Sequence, residues 1–127
     1  MNLLLDTHAL IWLAEADDNL SVAAKAAIES PLNTCFVSVA SFWEMAIKTS
    51  LGKLTMQIPL TNLKPMLIDN GIRVLPIEIK HTLLVANMHF HHKDPFDRLL
   101  IAQAMAEKMK LLSKDKQFSH YDIESLW

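Results

Sequence analysis

Cysteine, glycine and proline are scarce in this chain: its 127 residues include one Cys, two Gly and five Pro. The single cysteine, Cys35, excludes an intrachain disulfide framework and a metal site built from several cysteines, and we expect it to be a small buried residue. So few turn-forming residues argue against a turn-rich all-β fold. No apolar run reaches the roughly 18–20 residues of a membrane span. The N-terminal sequence MNLLLDTH lacks the basic start of a signal peptide, so we expect a cytoplasmic protein without a membrane segment.

An excess of positive charge is also missing. Twelve Lys and Arg against fourteen Asp and Glu give a net charge of −2, which excludes the strongly basic surface of proteins that coat nucleic acid. A nucleic-acid partner would therefore need positive charge from another source, such as a bound cation. The 51% of apolar residues can fill a core, and the length predicts a single domain over residues 1–127.

Short apolar runs alternate with longer helical patterns along the chain. The runs predict four strands, at residues 2–5, 34–37, 72–77 and 111–112. The patterns between them predict helices at residues 7–16, 20–30, 39–50, 60–70, 78–88 and 95–110. Runs that are apolar on both sides are typical of strands covered on both faces. We therefore predict an α/β fold, a three-layer α/β/α sandwich with a central, mainly parallel sheet.

Acidic residues follow several of these predicted strands or begin the helices after them: Asp6, Glu44, Asp97 and Asp115. Because the carboxyl ends of parallel strands meet at one edge of a sheet, we expect the four carboxylates to converge there. Gathered carboxylates repel one another unless a cation lies between them. Hard cations with oxygen ligands, Mg²⁺ or Mn²⁺, satisfy such a cluster and also bind phosphate.

Each acid also has a simpler structural role. Asp6 and Asp94 stand where an N-cap is favoured, and Pro95 fits the first position of the following helix. Glu44 completes a capping-box pattern with Ser41, although the preceding residues already have a helical pattern. Asp115, in the sequence Ser-Lys-Asp-Lys, is typical of a solvated turn. These alternatives stay open at the level of the sequence.

Four motifs together resemble those of the PIN-domain family, with the closest likeness to the small VapC-like toxins of type II toxin–antitoxin systems. The motifs are DTHALIW at residues 6–12, SFWE at 41–44 followed by IK and GKL, DPFDRLLIAQA at 94–104, and LSKD at 112–115. The resemblance implies an α/β/α sandwich, a divalent metal and ribonuclease activity. It assigns Asp6, Glu44 and Asp97 to the three core acids and Asp115 to the fourth, most variable one. Ser113 falls where a hydroxyl residue often assists the metal or its water.

The resemblance further implies an RNA substrate, inhibition by a cognate antitoxin, and assembly as a homodimer. The resulting hypothesis is a metal-dependent ribonuclease in which the acids bind one or two Mg²⁺ or Mn²⁺ ions and a metal-bound water attacks a phosphodiester. Basic residues near the motifs are candidate phosphate contacts, with ordinary solvated or salt-bridged side chains as the alternative. These candidates are Lys48, Lys53, Lys93 and Arg98.

Other functions fit the sequence less well. A phosphoacceptor receiver domain requires an adjacent acidic pair after the first strand, and a haloacid-dehalogenase-like phosphatase requires an acid where His8 stands. The non-enzymatic alternative is an inactive PIN-like module that binds RNA or protein. A zinc site at His89, His91 and His92 is disfavoured because zinc ligands are usually spaced on rigid elements, so we expect surface histidines. We expect His8 to pack within its apolar helix.

Overall fold

The computed structural model describes residues 1–127, and a five-stranded sheet lies at its centre. The strands are β1 (Asn2–Leu5), β2 (Thr34–Ser38), β3 (Arg73–Leu75), β4 (Lys110–Leu112) and β5 (Ser125–Leu126). Their order is β3-β2-β1-β4-β5, and every pairing is parallel. The predicted parallel sheet is confirmed, with one strand more than the sequence indicated. The additional strand, β5, consists of two residues that pair with β4 at the edge of the sheet.

Six α-helices connect the strands. They are α1 (Thr7–Ala14), α2 (Val22–Glu29), α3 (Val39–Ser50), α4 (Leu63–Asp69), α5 (Ile79–Ala86) and α6 (Pro95–Glu107). The predicted helix at residues 60–70 begins as a 3-10 turn, Leu60–Asn62, before α4. The predicted helix at 95–110 ends earlier, because Lys108 turns the chain with a left-handed φ of 54°. None of the six has the length and hydropathy that a membrane crossing requires.

Helices cover the sheet on both faces. Leu3 and Leu5 of β1 are fully buried in one core cluster, together with Cys35 of β2 and Met45 of α3. Leu4 points to the opposite face and is fully buried in a second cluster, which includes residues of α6. Side chains alternate between the faces of a strand, so both faces of β1 are apolar. The predicted α/β/α sandwich is therefore confirmed, and Cys35 is buried as expected.

The strand order creates a crevice beside β1. The chain runs from β1 outward through β2 to β3, and then returns to the opposite side of β1 as β4. In open α/β sheets, ligands bind outside the carboxyl ends of the strands at such a reversal of strand order. The carboxyl ends of β1 and β4 are therefore where the fold itself predicts a site.

Candidate metal centre

Asp6 lies at the carboxyl end of β1 and joins it to the end of β4. Its Oδ1 accepts a hydrogen bond from the backbone N–H of Ala9 at 2.8 Å, which caps α1. Its Oδ2 accepts a hydrogen bond from the Ser113 hydroxyl at 2.5 Å, and its backbone N–H donates to the Leu112 carbonyl at 3.1 Å. Asp6 is thus both an N-cap and a side chain at the crevice.

Two acids at the start of α6, Asp94 and Asp97, have different roles. Oδ1 of Asp94 accepts hydrogen bonds from the backbone N–H groups of Phe96 at 2.9 Å and Asp97 at 3.0 Å. With Pro95 at the first helical position, this is the predicted cap. Asp97 carries no side-chain role in the cap, and its carboxylate faces the crevice.

A cleft of about 300 Å³ lies at this edge of the sheet. It is lined by the carboxylates of Asp6, Asp97 and Asp115 and by the side chains of His8, Trp12 and Lys114. One donor atom each from His92, Asp97 and Asp115 lies within 4.8 Å of the other two. The structure therefore brings three of the four predicted acids to one cleft, from β1, α6 and the segment after β4.

Glu44 lies beside the cleft and does not line it. It is 4% exposed, within α3, where Oε1 accepts from the Thr7 hydroxyl at 2.7 Å and Oε2 accepts from the Lys48 ammonium at 2.6 Å. Because Ser38 caps α3, the capping-box alternative for Glu44 is wrong. Its charge nevertheless contributes to raising the pKa of Asp97.

The crowding of carboxylates changes their acidity. Burial, followed by the negative charges of Asp94, Glu44, Asp6 and Asp115, raises the pKa of Asp97 from 3.8 to about 7. Burial also raises the pKa of Asp6, although the hydrogen bonds that its carboxylate accepts oppose this rise. The charged forms of these side chains are therefore disfavoured in the protein alone.

The carboxylates of the cleft fit a hard divalent cation. No lysine or arginine forms an ion pair with Asp6, Asp97 or Asp115. Three carboxylates that share a cleft and form no ion pair with lysine or arginine provide the oxygen donors that Mg²⁺ and Mn²⁺ prefer. Such an ion would also relieve the repulsion that raises the pKa of Asp97.

Asp115 is held from two sides. Its Oδ1 accepts a hydrogen bond from the backbone N–H of Gln117 at 2.9 Å, which caps the 3-10 turn Lys116–His120. Its Oδ2 lies 3.1 Å from Nε2 of His92. The alternative of a solvated turn residue holds in part, because the side chain is 41% exposed, but both carboxylate oxygens are anchored within the fold.

The structure overturns one of the predicted phosphate contacts. Arg98 is 6% exposed, and its guanidinium donates to the backbone carbonyls of Val85, Met88, His89 and His92 at 3.1 to 3.4 Å. Its donors are thus directed at the end of α5 and at the loop before α6, and it is not available to phosphate.

The predicted lysines differ in their surroundings. The hydrogen bond with Glu44 is the main cause that raises the pKa of Lys48, so this ammonium is paired in the absence of a ligand. Lys53 and Lys93 are exposed. Lys114, which is not among the predicted phosphate contacts, lines the cleft. Its position directly before Asp115, at the end of a predicted strand, is the signal that could have identified it.

Two histidines also differ from the predictions. His8 is exposed and lines the cleft beside Trp12, with ring centroids 5.6 Å apart, so the expected packing role is wrong. His89 and His91 are exposed as predicted. His92 is only 7% exposed, which contradicts its prediction as a surface histidine.

The fold and the cleft define this protein as an α/β domain with an acidic cleft, whose carboxylates could hold a metal ion, at the carboxyl edge of its sheet. Residues 3–124 match the model of the PIN domain, and the chain belongs to the PIN-domain family. The family predicted from the four motifs is confirmed.

Known proteins resemble the chain over nearly its whole length. Ribonuclease VapC22 of Mycobacterium tuberculosis is 28% identical over 116 residues, which are 90% of this chain and 87% of that protein. The fold is shared by VapC20 of the same organism, a sarcin–ricin loop cleaving toxin, with a TM-score of 0.69 and 15% identity over 95% of both chains. It is also shared by a toxin–antitoxin complex from Klebsiella pneumoniae, with a TM-score of 0.64 and 19% identity over 98% of this chain and 95% of that one.

Proposed function

We propose that this protein is a divalent-metal-dependent endoribonuclease that acts as the toxin of a type II toxin–antitoxin pair. One observation carries the proposal: Asp6, Asp97 and Asp115 come from three separate elements and line one cleft, and none of them forms an ion pair with a lysine or arginine. The PIN-domain fold and the similarity to ribonuclease VapC22 support the same activity.

Asp6, Asp97 and Asp115 would hold Mg²⁺ or Mn²⁺, with Glu44 beside them. When bound, such an ion lowers the pKa of a coordinated water and stabilises the negative charge that develops on phosphate oxygens. Ser113 fixes the carboxylate of Asp6 by donating a hydrogen bond to Oδ2. Asp97 ionises most readily when a cation is present, because burial and neighbouring carboxylates raise its pKa to about 7.

We assign the first contact with the RNA backbone to Lys114, which lies at the cleft. Its ammonium is 5.8 Å from the ring of Trp12, so a cation and an aromatic face occur together beside the acids. Phosphate binds lysine, and unpaired bases stack on aromatic rings. Lys48 is a further candidate, provided that phosphate displaces its ammonium from Glu44.

RNA cleavage with matched variants tests the activity. The purified protein should cut RNA with Mg²⁺ or Mn²⁺ and should lose this activity in EDTA. Asp6→Asn and Asp97→Asn should each reduce the rate at least about 100-fold, because each removes one charge that holds the ion. Asp69→Asn, at the exposed end of α4, is the matched control and should cut like the wild type. Cleavage that survives EDTA or either cleft variant contradicts the proposal.

We further propose that the protein works in the cytoplasm, forms a homodimer and is inhibited by a cognate antitoxin. Large apolar side chains are exposed, with Val22, Leu32 and Ile79 each more than three-quarters exposed. Apolar surface of this kind is common where proteins associate. Co-expression with the neighbouring open reading frame should yield a complex that lacks nuclease activity. Light scattering of the isolated chain should give twice the monomer mass.

A further inference from the structure

His92 stands in the loop before α6 and is held in place on several sides. Its imidazole stacks on the ring of Phe118, with 4.6 Å between centroids and 14° between planes. Its backbone N–H donates to the Tyr121 hydroxyl at 2.9 Å, and its backbone carbonyl accepts from the buried Arg98 guanidinium. The ring is therefore a fixed part of the wall beside the cleft.

The imidazole holds one oxygen of Asp115. Nε2 of His92 lies 3.1 Å from Oδ2 of Asp115, and hydrogen bonding there requires the proton on Nε2, because a carboxylate only accepts. Oδ1 already accepts the backbone N–H of Gln117. The two hydrogen bonds fix both oxygens of a side chain that is otherwise 41% exposed.

We propose that His92 is a positioning residue that orients the Asp115 carboxylate and thereby sets the affinity of the cleft for its divalent cation. The inference rests on the proposed function, since it concerns the same site. The donor atoms of His92, Asp97 and Asp115 lie within 4.8 Å of one another, so His92 fixes Asp115 close to Asp97. Hydrogen-bond partners of metal-binding side chains commonly contribute ten-fold or more to metal affinity.

His92 acts through Asp115 and does not bind the ion itself. The nitrogen that faces the acids is Nε2, and its proton is used in the hydrogen bond to Oδ2. Mg²⁺ prefers oxygen ligands over imidazole nitrogen. The proposal therefore requires Nε2 to keep its proton when the site is loaded with Mg²⁺.

Variants of His92 separate its packing from its hydrogen bond. His92→Phe retains a ring that can stack on Phe118 but lacks the donor, and His92→Gln retains an N–H donor. His91→Phe, at an exposed neighbouring histidine, is the matched control. In calorimetric titrations of the full chain with Mg²⁺ and with Mn²⁺, His92→Phe should bind both ions about ten-fold more weakly. His92→Gln should recover part of the loss, and His91→Phe should bind like the wild type.

A double variant identifies the partner. If His92 acts through Asp115, adding His92→Phe to Asp115→Asn should weaken binding no further than Asp115→Asn alone. Wild-type affinity in His92→Phe, or additive losses in the double variant, overturns the proposal. A loss for Mn²⁺ but not for Mg²⁺ also overturns it, because that pattern identifies the imidazole as a ligand.

A further test uses only the wild-type protein, so its result does not depend on whether a variant folds. Nitrogen NMR of the ¹⁵N-histidine-labelled protein should find Nε2 of His92 protonated, with and without Mg²⁺. Loss of the Nε2 proton on loading with Mg²⁺ contradicts the proposal. Failure of the proposed function is distinguishable, because the wild type would then bind no divalent ion or would cleave RNA in EDTA. If the wild type binds the ion and cleaves with it, only the role of His92 is in question.

Discussion

Replacing Asp97 by Asn should stabilise the metal-free protein near neutral pH while it weakens metal binding. The wild-type carboxyl has its pKa raised from 3.8 to about 7 by burial and by neighbouring carboxylates. A pKa rise of this size means that ionising Asp97 costs about 4 kcal/mol more in the folded protein than in the unfolded chain. Asp97 is partly exposed, so solvent screens some of this effect, and we expect about 1–2 kcal/mol in the free energy of unfolding.

The sign of the pH dependence follows from the raised pKa. The unfolded chain loses the Asp97 proton near the ordinary value of 3.8, whereas the folded protein keeps it until about pH 7. The contribution of Asp97 to the free energy of unfolding is therefore fully present below its pKa in the unfolded chain. It is lost as the pH rises towards its pKa in the folded protein. Asn carries no titrating proton, so the variant should gain over the wild type across this interval and keep the gain above it.

Urea unfolding in EDTA measures the effect. The difference between Asp97→Asn and the wild type should be small near pH 4 and should reach about 1–2 kcal/mol near pH 8. Asp69→Asn serves as the control for removing an exposed acid. Adding Mg²⁺ near pH 8 should stabilise the wild type by mass action and should stabilise the variant less.

Two results would refute the reasoning. Equal stability of the variant and the wild type near both pH 4 and pH 8 would mean that burial and the neighbouring carboxylates do not disfavour the ionised form of Asp97. Equal stabilisation of both proteins by Mg²⁺ would mean that Asp97 does not help to hold the ion. The first result concerns the electrostatics of the fold, and the second concerns the proposed site.

Three further substitutions test neighbouring contacts. Lys48→Met leaves Glu44 buried without its cation, and urea unfolding of the metal-free protein should give a loss of about 1–3 kcal/mol. Ser113→Ala removes the hydrogen bond to Asp6, and Mn²⁺ titration should give an affinity about ten-fold lower, with unchanged affinity contradicting that role. Arg98→Lys keeps the charge but cannot reach four carbonyls, so thermal unfolding should give a loss of at least about 2 kcal/mol. If the Arg98→Lys variant binds RNA more weakly without any loss of stability, Arg98 contacts phosphate instead.

The position of the acids at one edge of the sheet could be predicted, because it depends on local sequence patterns. Strands that are apolar on both sides indicate a parallel sheet, and parallel strands bring their carboxyl ends together. This rule alone places Asp6 at the end of β1 and Asp115 beyond the end of β4. The short strand β5 was missed, because two residues at an edge carry no periodicity from which a strand can be predicted.

The surroundings of individual side chains could not be predicted, because they depend on contacts between distant segments. Arg98 is adjacent to an acid in sequence, but carbonyls at the end of α5 and in the following loop accept hydrogen bonds from its guanidinium. His92 belongs to a run of histidines that is typical of a surface loop. Its burial comes from Phe118 and Tyr121, which follow β4. Neither contact has a signature in the local sequence.

The sequence left open whether Asp6 and Asp115 are N-caps or metal ligands, and in this fold the first role does not exclude the second. Asp6 and Asp115 each line the cleft and each use Oδ1 to accept a backbone N–H at the start of a helical segment, while Oδ2 is held by Ser113 in Asp6 and by His92 in Asp115. An Asn at either position can keep Oδ1 as the accepting oxygen of the cap while it removes the charge and the second acceptor, Oδ2, whereas an Ala also loses the cap, at about 1 kcal/mol. Asn variants therefore report on the ion that we propose the cleft holds. Ala variants would confuse a lost ion with a frayed helix, and activity lost in them alone would not identify a ligand.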